Sequence, residues 1–424
     1  MALFLPLLFL ALLVLGAPIY LTMGVTSALM FGSEGNLMAF AQKVIDELNS
    51  NSLLAVPYFI IAASFMERGG VAKALINAAN AWVGWLPGGL GLVSVLSCTI
   101  FAAMCGSSVA TAIAMGTILV PAMLKAGYKP GFASGIVGAS GTLGILIPPS
   151  LALVVYGVLA DISIPRLFLA GVIPGLLQSL LLATYILWIA RRQGYKGNSE
   201  NIVESRLLTT FKAIPALLVP LLVLGGMYGG FVTLTESAAL SAIVAIVLSL
   251  FVYKGIELRE LIDVMAHAVK SATVIVIIIA MAIAFGHWVT ETGIAQYLVG
   301  QLEFHQVKGW QFLIVINIML LFLGMFLEVY SVLLLMVPIL LPLLNSLNID
   351  PIHFGILLVI NMEIALLTPP VGLNLFVISN ISGIPLSQVV KGTLPFVLLM
   401  LLLLILVTYV PILSLFLPNL LLGT

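Results

Sequence analysis

The chain has 424 residues, of which 62% are hydrophobic and 8% are charged, and its formal net charge is zero. Soluble domains carry about 25% charged residues, so this composition excludes a water-soluble fold, and the neutral charge gives no reason to expect a nucleic-acid partner. The apolar runs are continuous rather than alternating, which excludes a transmembrane β-barrel. Because helices satisfy their own backbone hydrogen bonds in lipid, the sequence predicts an all-α polytopic protein embedded in a lipid bilayer.

The first apolar run starts at the first residue, and no charged residue precedes Glu34. Secretory signal peptides carry a positive n-region, so we expect this run to be a retained first helix. The next long run, from Ala74 to Leu124, contains no Asp, Glu, Lys or Arg. Since one crossing takes about 20 apolar residues, this run is long enough for one or two crossings. Cys98 and Cys105 lie in it, and we expect both to serve ordinary helix packing.

A basic segment lies in the middle of the chain. Its basic residues are Arg191, Arg192, Lys196, Arg206 and Lys212, and its acidic residues are Glu200 and Glu204. Loops rich in Lys and Arg stay on the cytoplasmic side of the membrane. We therefore predict a cytoplasmic linker over residues 191–212.

Proline positions repeat along the chain. Between residues 101 and 190 there are six prolines, and five of them recur in the second half of the chain at one constant offset in the numbering. The five pairs are Pro121 and Pro342, Pro130 and Pro351, Pro148 and Pro369, Pro149 and Pro370, and Pro174 and Pro395. Because prolines mark helix ends and breaks, this proline offset predicts two repeats, over residues 1–190 and 213–424.

The loops that follow Pro121 and Pro342 differ in charge. The first loop carries Lys125 and Lys129, whereas residues 346–350 of the second contain no Lys or Arg. The lysine-bearing loop is expected in the cytoplasm and its counterpart outside, so the two repeats are predicted to have inverted topology. Inverted repeats with broken helices near the midplane are a recurring architecture of secondary transporters.

Each repeat interrupts its apolar runs twice. The first repeat does so with CGSSVATA at 105–112 and ASGTLGILIPPS at 139–150, and the second with GMFLEVYS at 324–331 and NMEIALLTPPVGLN at 361–374. The apolar stretch after CGSS is short for a crossing, which favours a re-entrant hairpin, and the paired prolines forbid regular helix. Each repeat is therefore predicted to contain one re-entrant hairpin and one broken helix, whose free carbonyls, hydroxyls and helix N-termini can bind cations and anions.

Two carboxylates, Glu328 and Glu363, lie in the interruptions of the second repeat. A carboxylate at a helix centre costs about 2.5–3.5 kcal/mol to insert, so both are candidates for cation binding. The alternatives are that either one reaches water at an interface or that one couples transport to protons. Thr233 and Glu236, in TLTE, instead have the spacing of a capping box at a helix start, which indicates a structural role.

Basic residues are missing where a substrate would bind. No Lys or Arg occurs from Ala74 to Leu124 or from Gly309 to Val390. The charge of an anionic substrate would then have to be met by helix dipoles, polar donors or co-bound cations, which favours cation-coupled uptake. An intramembrane enzyme would need an HExxH helix, a GxSxG serine with a histidine, or paired aspartates, and none of these occurs. A passive channel normally builds its filter from rings of identical subunits rather than from two diverged halves.

Several segments together resemble the large membrane subunit of the tripartite ATP-independent periplasmic (TRAP) transporters, over essentially the whole chain. They are GASGTLGILIPPS, a GxxxE element followed by PILLP, TPPVGLNLFV and GGFVTLTESAA. The resemblance implies a sodium-coupled importer of small organic anions, such as C4-dicarboxylates or sialic acids, in a bacterial inner membrane. It also implies an elevator mechanism, sodium as the coupling ion without a covalent cofactor, and no enzymatic activity. The implied partners are a separate small membrane subunit and a periplasmic binding protein that delivers the substrate.

The resemblance also implies site residues, by their positions in these motifs. The residues implied to bind substrate are Ser108, Ser140, Thr142, Asn361 and Thr368. Those implied to bind sodium are Ser107, Ser108, Gly141, Glu328 and Ser331, and we add Gly324 and Glu363 from their places in the interruptions of the second repeat. The family often has Asp where this chain has Glu328.

Overall fold

The computed structural model describes residues 4–33, 35–197, 206–291 and 293–423. Every regular element in these ranges is helical. Seven of the described helices are long and apolar enough to cross a membrane, by length and composition. The predicted class, an all-α polytopic membrane protein, is confirmed.

Serine side chains begin several helices of the first half. Its helices are α1 (Phe4–Val14), α2 (Ile19–Ser33), α3 (Leu37–Leu48), α4 (Asn51–Arg68), α5 (Val71–Val83), α6 (Gly89–Cys105), α7 (Ser108–Lys125), α8 (Pro130–Thr142), α9 (Leu151–Ala160) and α10 (Ile164–Gln193). Ser50, Ser107, Ser150 and Ser163 precede α4, α7, α9 and α10, and each side chain accepts a hydrogen bond from a backbone N–H in the first turn. Such caps satisfy N–H groups that the helix itself leaves free.

The second half has eleven described helices. They are α11 (Arg206–Pro220), α12 (Gly226–Tyr228), α13 (Leu234–Val247), α14 (Leu261–Glu291), α15 (Ile294–Phe304), α16 (Gly309–Gly324), α17 (Val329–Ser346), α18 (Pro351–Ala365), α19 (Leu373–Ser382), α20 (Leu386–Tyr409) and α21 (Ile412–Leu422). Five consecutive ones, α16–α20, follow the same order of long and short helices as α6–α10. The predicted capping box begins α13, where the Thr233 N–H donates to the Glu236 carboxylate at 2.8 Å and the Glu236 N–H donates to Thr233 Oγ1 at 3.3 Å. That prediction is confirmed.

The element bounds of the two halves follow the proline offset. Helices α7 and α17 begin at residues related by this offset, and they also end at residues related by it. Helices α8 and α18 begin at the paired prolines Pro130 and Pro351. Helices α8 and α18 each end before a segment that is not α-helical. A short helix, α9 or α19, follows that segment. We call residues 143–150 the first break and residues 366–372 the second break. This correspondence supports the predicted repeats.

Contacts between the halves join opposite ends of the broken helices. Tyr156, in the middle of α9, donates a hydrogen bond to the Pro351 carbonyl at the start of α18, at 2.6 Å. At the start of α8, Gly131 touches Gly392 in the first turns of α20, shortly after α19 ends. The short helix after the first break therefore lies at the start of α18, and the start of α8 lies beside the helix that follows α19; inverted topology stays a prediction.

Helices extend into both ends of the segment predicted as a linker. Helix α10 continues to Gln193 and α11 begins at Arg206. Gly194 ends α10 in the left-handed conformation, with φ 72°, which glycine adopts without steric cost. The acidic residues of this segment, Glu200 and Glu204, lie outside the described residues.

Backbone contact between α8 and α20 generates a stability prediction. A Cβ at Gly392 would collide with the carbonyl oxygen of Gly131, so Gly392→Ala must separate the two helices. Overpacking of this kind costs about 1–3 kcal/mol, and we expect a lower midpoint of thermal unfolding for the purified protein.

Gly300→Ala in α15 is the matched control, because a Cβ there would meet nothing within 4 Å. Alanine is favoured over glycine in helices by about 1 kcal/mol, so this variant should keep or raise the midpoint. Equal midpoints for the two variants would contradict the close approach of α8 and α20.

Candidate functional site

The turn between α6 and α7 rests on the first break. We call residues 105–108 the first tip. Gly106 in this tip has φ +60°, and a Cβ there would lie 2.7 Å from the Pro149 carbonyl oxygen. The Leu151 N–H donates to the Gly106 carbonyl at 3.3 Å. Glycine is therefore needed here both for its backbone conformation and for the close approach of the two segments.

The first tip is also bonded to the second half of the chain. Ser107 caps α7 by accepting from the Ala110 N–H at 3.4 Å. Ser108 is buried, and its Oγ accepts a hydrogen bond from the Asn374 amide in α19 at 2.6 Å. The Asn374 Oδ1 atom is buried and has no hydrogen-bond partner among the described residues. The amide oxygen of Asn374, beside the first tip, can therefore accept a hydrogen bond from a ligand.

The last turn of α8 packs tightly on the first turns of α7. A Cβ at Gly141 would lie 3.1 Å from the Ala112 Cβ in α7. Ser140 is fully buried, and its Oγ has no partner among the described residues. Thr142 Oγ1 donates to the Ala139 carbonyl at 2.9 Å and accepts from Gln178 Nε2 in α10 at 3.2 Å.

The turn between α16 and α17 rests on the second break in a similar way. We call residues 324–328 the second tip. The Val371 N–H donates to the Met325 carbonyl at 3.2 Å. A Cβ at Gly324 would lie 2.6 Å from the Ala365 Cβ, so only glycine allows this approach of the tip to the end of α18. Both tips therefore contact the break of their own half.

The hydroxyl and carboxylate groups of the second tip and second break are more open. Glu328 occupies the N-cap position of α17, but its side chain makes no hydrogen bond to the helix start, and it is exposed. Ser331, in the first turn of α17, is partly buried. Thr368 Oγ1 donates to the Ile364 carbonyl at 2.7 Å, which leaves its lone pairs free. The side-chain oxygens of Glu328, Ser331 and Thr368 can therefore coordinate a cation.

Asn361 and Glu363 lie on different sides of α18, because residues two apart are about 200° apart around a helix. Asn361 donates to Asn317 Oδ1 in α16 at 2.8 Å, and Asn317 donates to Thr408 Oγ1 in α20 at 3.0 Å. Glu363 instead lies beside Gln178 in α10. The structure therefore does not bring these two predicted residues together in one cluster.

Sequence reasoning missed three amide side chains, Asn374, Gln178 and Asn317. Buried amides need hydrogen-bond partners, so an isolated amide in an apolar run is a usable signal. Gln178 is the only Asn or Gln between Arg166 and Arg191 and could have been found in this way. The partners of Asn374 and Asn317 could not, because they lie 266 and 91 residues away.

The fold and the paired tips define a multi-pass membrane protein of the transporter class. The crystal structure of the YdaH transporter of Alcanivorax borkumensis has the same fold, with a TM-score of 0.65 over 89% of each chain at 13% sequence identity. Residues 7–413 match the family described as the tripartite ATP-independent periplasmic transporter, DctM component. The chain belongs to this family, and the family predicted from the sequence is confirmed.

Two relatives indicate the range of substrates handled by similar chains. The chain is 42% identical to the C4-dicarboxylate TRAP transporter large permease protein DctM of Pseudomonas aeruginosa, over 93% of this chain and 92% of the relative. It is 35% identical to the sialic acid TRAP transporter large permease protein SiaM of Vibrio cholerae, over 90% of each chain. The chain is thus similar to large permeases over nearly their whole length.

The bond between the two halves at the first tip generates a second prediction. Asn374→Ala removes the donor to Ser108 inside the protein, and a buried group left without its partner costs about 1–3 kcal/mol. We expect a lower thermal midpoint for the purified protein. Asn345→Ala is the control because Asn345 is exposed near the end of α17. Identical midpoints for the two variants would show that the Asn374–Ser108 bond does not hold the halves together.

Proposed function

We propose that this chain is the translocating subunit of a sodium-coupled importer of small organic anions in the bacterial cytoplasmic membrane. It would work with a separate small membrane subunit and a periplasmic substrate-binding protein. The observation that carries the proposal is the seating of two hairpin tips on two broken helices, with the first tip bonded to the second half through Asn374. Family membership supports the tripartite assembly, and the relatives' substrates support a carboxylate-bearing solute.

Helix N-termini can stabilise the negative charge of the substrate. Helices α7 and α17 both begin at a tip, and a helix N-terminus carries a partial positive charge with free N–H donors. Segments 74–124 and 309–390, which contain both tips and the second break, have no Lys or Arg. A carboxylate substrate would therefore be held by these N-termini, by hydroxyls and amides, and by co-bound cations.

Polar atoms without partners support the assignment of substrate-binding residues. Ser140 Oγ and Asn361 Oδ1 are both buried and lack a partner among the described residues. The two residues are related by the proline offset, so they occupy matching positions of the predicted repeats. We assign them to the substrate site with Ser108, Thr142 and Thr368. A ligand that supplied their missing hydrogen bonds would offset part of the cost of burying them.

Oxygen atoms at the tips suit sodium, a hard cation that prefers oxygen ligands. We assign one sodium position to the first tip, with Ser107, Ser108 and Gly141. We assign another to the second tip; its residues are Gly324, Glu328 and Ser331. Positive charge at both tips would strengthen binding of an anion between them, so that sodium and substrate are carried together.

An elevator movement fits how the helices group. Helix α4 packs on α13 and α14, and α2 packs on α14. A second group forms where α7 and α8 pack on α19 and α20, α9 packs on α17 and α18, and α16 packs on α18. The second group contains both broken helices and both tips, joined across the halves by the Tyr156–Pro351 and Ser108–Asn374 bonds. We propose that this second group moves as one unit against the first.

Replacing sodium tests the coupling ion. Uptake into proteoliposomes that contain both membrane subunits, with the cognate binding protein outside, should fall to background when external sodium is replaced by potassium at fixed pH. Undiminished uptake without sodium would overturn sodium coupling. Uptake that instead follows an inward proton gradient would favour the alternative, coupling to protons through a carboxylate.

Substitutions at the tips test the site. Ser108→Ala and Glu328→Gln should each reduce sodium-driven uptake by about tenfold, since each removes a ligand oxygen or its charge. Both variants should still insert and purify normally. Thr184→Val, at an exposed position on α10, is the control and should transport at the wild-type rate. Sodium-driven uptake at the wild-type rate in both tip variants would contradict this site assignment.

A further inference from the structure

A groove opens on the protein surface between the start of α8, the end of α10 and the first turns of α20. Its volume is about 480 Å³, which lies within the range of about 300–1,000 Å³ that is usual for small-molecule sites. We call it the lysine groove, because two lysines lie among its lining residues. The lining includes Lys129, Phe132, Tyr185, Ile189, Lys391 and Pro395.

The floor of the lysine groove is aromatic. Phe132 of α8 and Phe396 of α20 stack with their ring centroids 5.9 Å apart, and Tyr185 of α10 meets Phe396 edge-on at 5.2 Å. Gly131 and Gly392 let the backbones of α8 and α20 touch beside these rings. The three helices therefore form a packed apolar floor and leave the space above it open.

The charge around the lysine groove has one sign. Helices α8, α10 and α20 contain no Asp or Glu. Lys129 and Lys391 are exposed at the rim, and neither has an ion-pair partner among the described residues. The acidic residues that follow α10, Glu200 and Glu204, lie outside the described residues. Two ammonium groups on an apolar groove provide a site for an anion with an apolar part.

The apolar side of the lysine groove continues onto exposed hydrophobic surface. Leu394 and Leu398 share a face of α20 with Lys391, and they are 57% and 60% exposed. On α10, Trp188 is 49% exposed, and the Arg192 guanidinium lies over its ring, 4.4 Å from the centroid. Exposed tryptophan beside a basic residue is typical of the boundary between lipid headgroups and hydrocarbon. The lysines therefore lie at headgroup level, and the leucines extend from there toward the hydrocarbon.

The shape and charge of the groove together favour a lipid over other ligands. A small soluble anion would use the lysines but not the apolar wall, and an apolar peptide segment would leave both ammonium groups without a counter-charge. The lysine-bearing loop before α8 and the segment after α10 are both predicted to be cytoplasmic, and the cytoplasmic leaflet carries anionic lipids. Basic pockets between membrane helices on that side bind such headgroups.

We propose that the lysine groove binds an anionic phospholipid of the cytoplasmic leaflet. Its phosphate lies between Lys129 and Lys391, and one acyl chain follows Ile189, Pro395 and Leu398. This site is separate from the tips and the breaks, and it does not depend on which ion drives uptake.

Thermal stability of the purified two-subunit complex in neutral detergent tests the site. Phosphatidylglycerol, phosphatidylcholine with the same acyl chains, and inorganic phosphate would each be titrated while the midpoint of unfolding is followed. Phosphatidylglycerol should raise the midpoint, and the other two should not. Lys129→Gln and Lys391→Gln should each raise the phosphatidylglycerol concentration for half-maximal stabilisation by about fivefold. Lys270→Gln is the matched control, because Lys270 is an exposed lysine on α14 and does not line the groove.

Ile189→Trp separates the groove from general surface charge. This change fills the apolar wall and keeps both lysines, so it should also raise the phosphatidylglycerol concentration that is needed. A wild-type titration in Ile189→Trp, or in the variant that lacks both lysines, would overturn the proposal. Equal stabilisation of the wild-type complex by phosphatidylcholine would show that the headgroup charge is not recognised. Equal stabilisation by inorganic phosphate would show that no acyl chain is bound, and either result also overturns the proposal.

Discussion

A helix that is interrupted inside a bilayer leaves backbone N–H and C=O groups that lipid cannot satisfy. In this protein, each interrupted helix meets that constraint against the tip of a hairpin from its own half. The Leu151 N–H after the first break donates to Gly106, and the Val371 N–H in the second break donates to Met325. The hairpins are therefore required wherever the helices break, and the same places expose helix N-termini and carbonyls to a ligand.

The contact between each tip and its break requires small residues. A tip can reach the backbone of a break only where side chains are missing, and a Cβ at Gly144 would collide with the Ser107 carbonyl, while one at Gly324 would crowd Ala365. Glycine in these segments thus serves the approach of two backbones rather than flexibility. The close approach also explains why polar side chains there, such as Ser140, are fully buried. Solvent does not reach their unsatisfied atoms, so a bound ligand would have to supply the missing hydrogen bonds.

Local chemistry made much of this architecture predictable. The paired prolines located both breaks, their common offset anticipated the matching bounds of α7 and α17, and the TLTE segment located the start of α13. Which site residues lie together in space could not be predicted from the sequence. Asn361 and Glu363 are close in sequence but face α16 and α10 respectively, and the bond between Ser108 and Asn374 joins residues 266 positions apart. Such pairings depend on how the two halves pack, which no local pattern encodes.

The central claim is that the two tips and the two breaks form a single anion site. An experimental density map of the two-subunit complex with sodium and its bound organic anion tests this most directly. The account predicts density for the anion in contact with the N-terminal ends of α7 and α17, with both tips seated on their breaks. Anion density away from both tips, with the tips separated from the breaks, would contradict it.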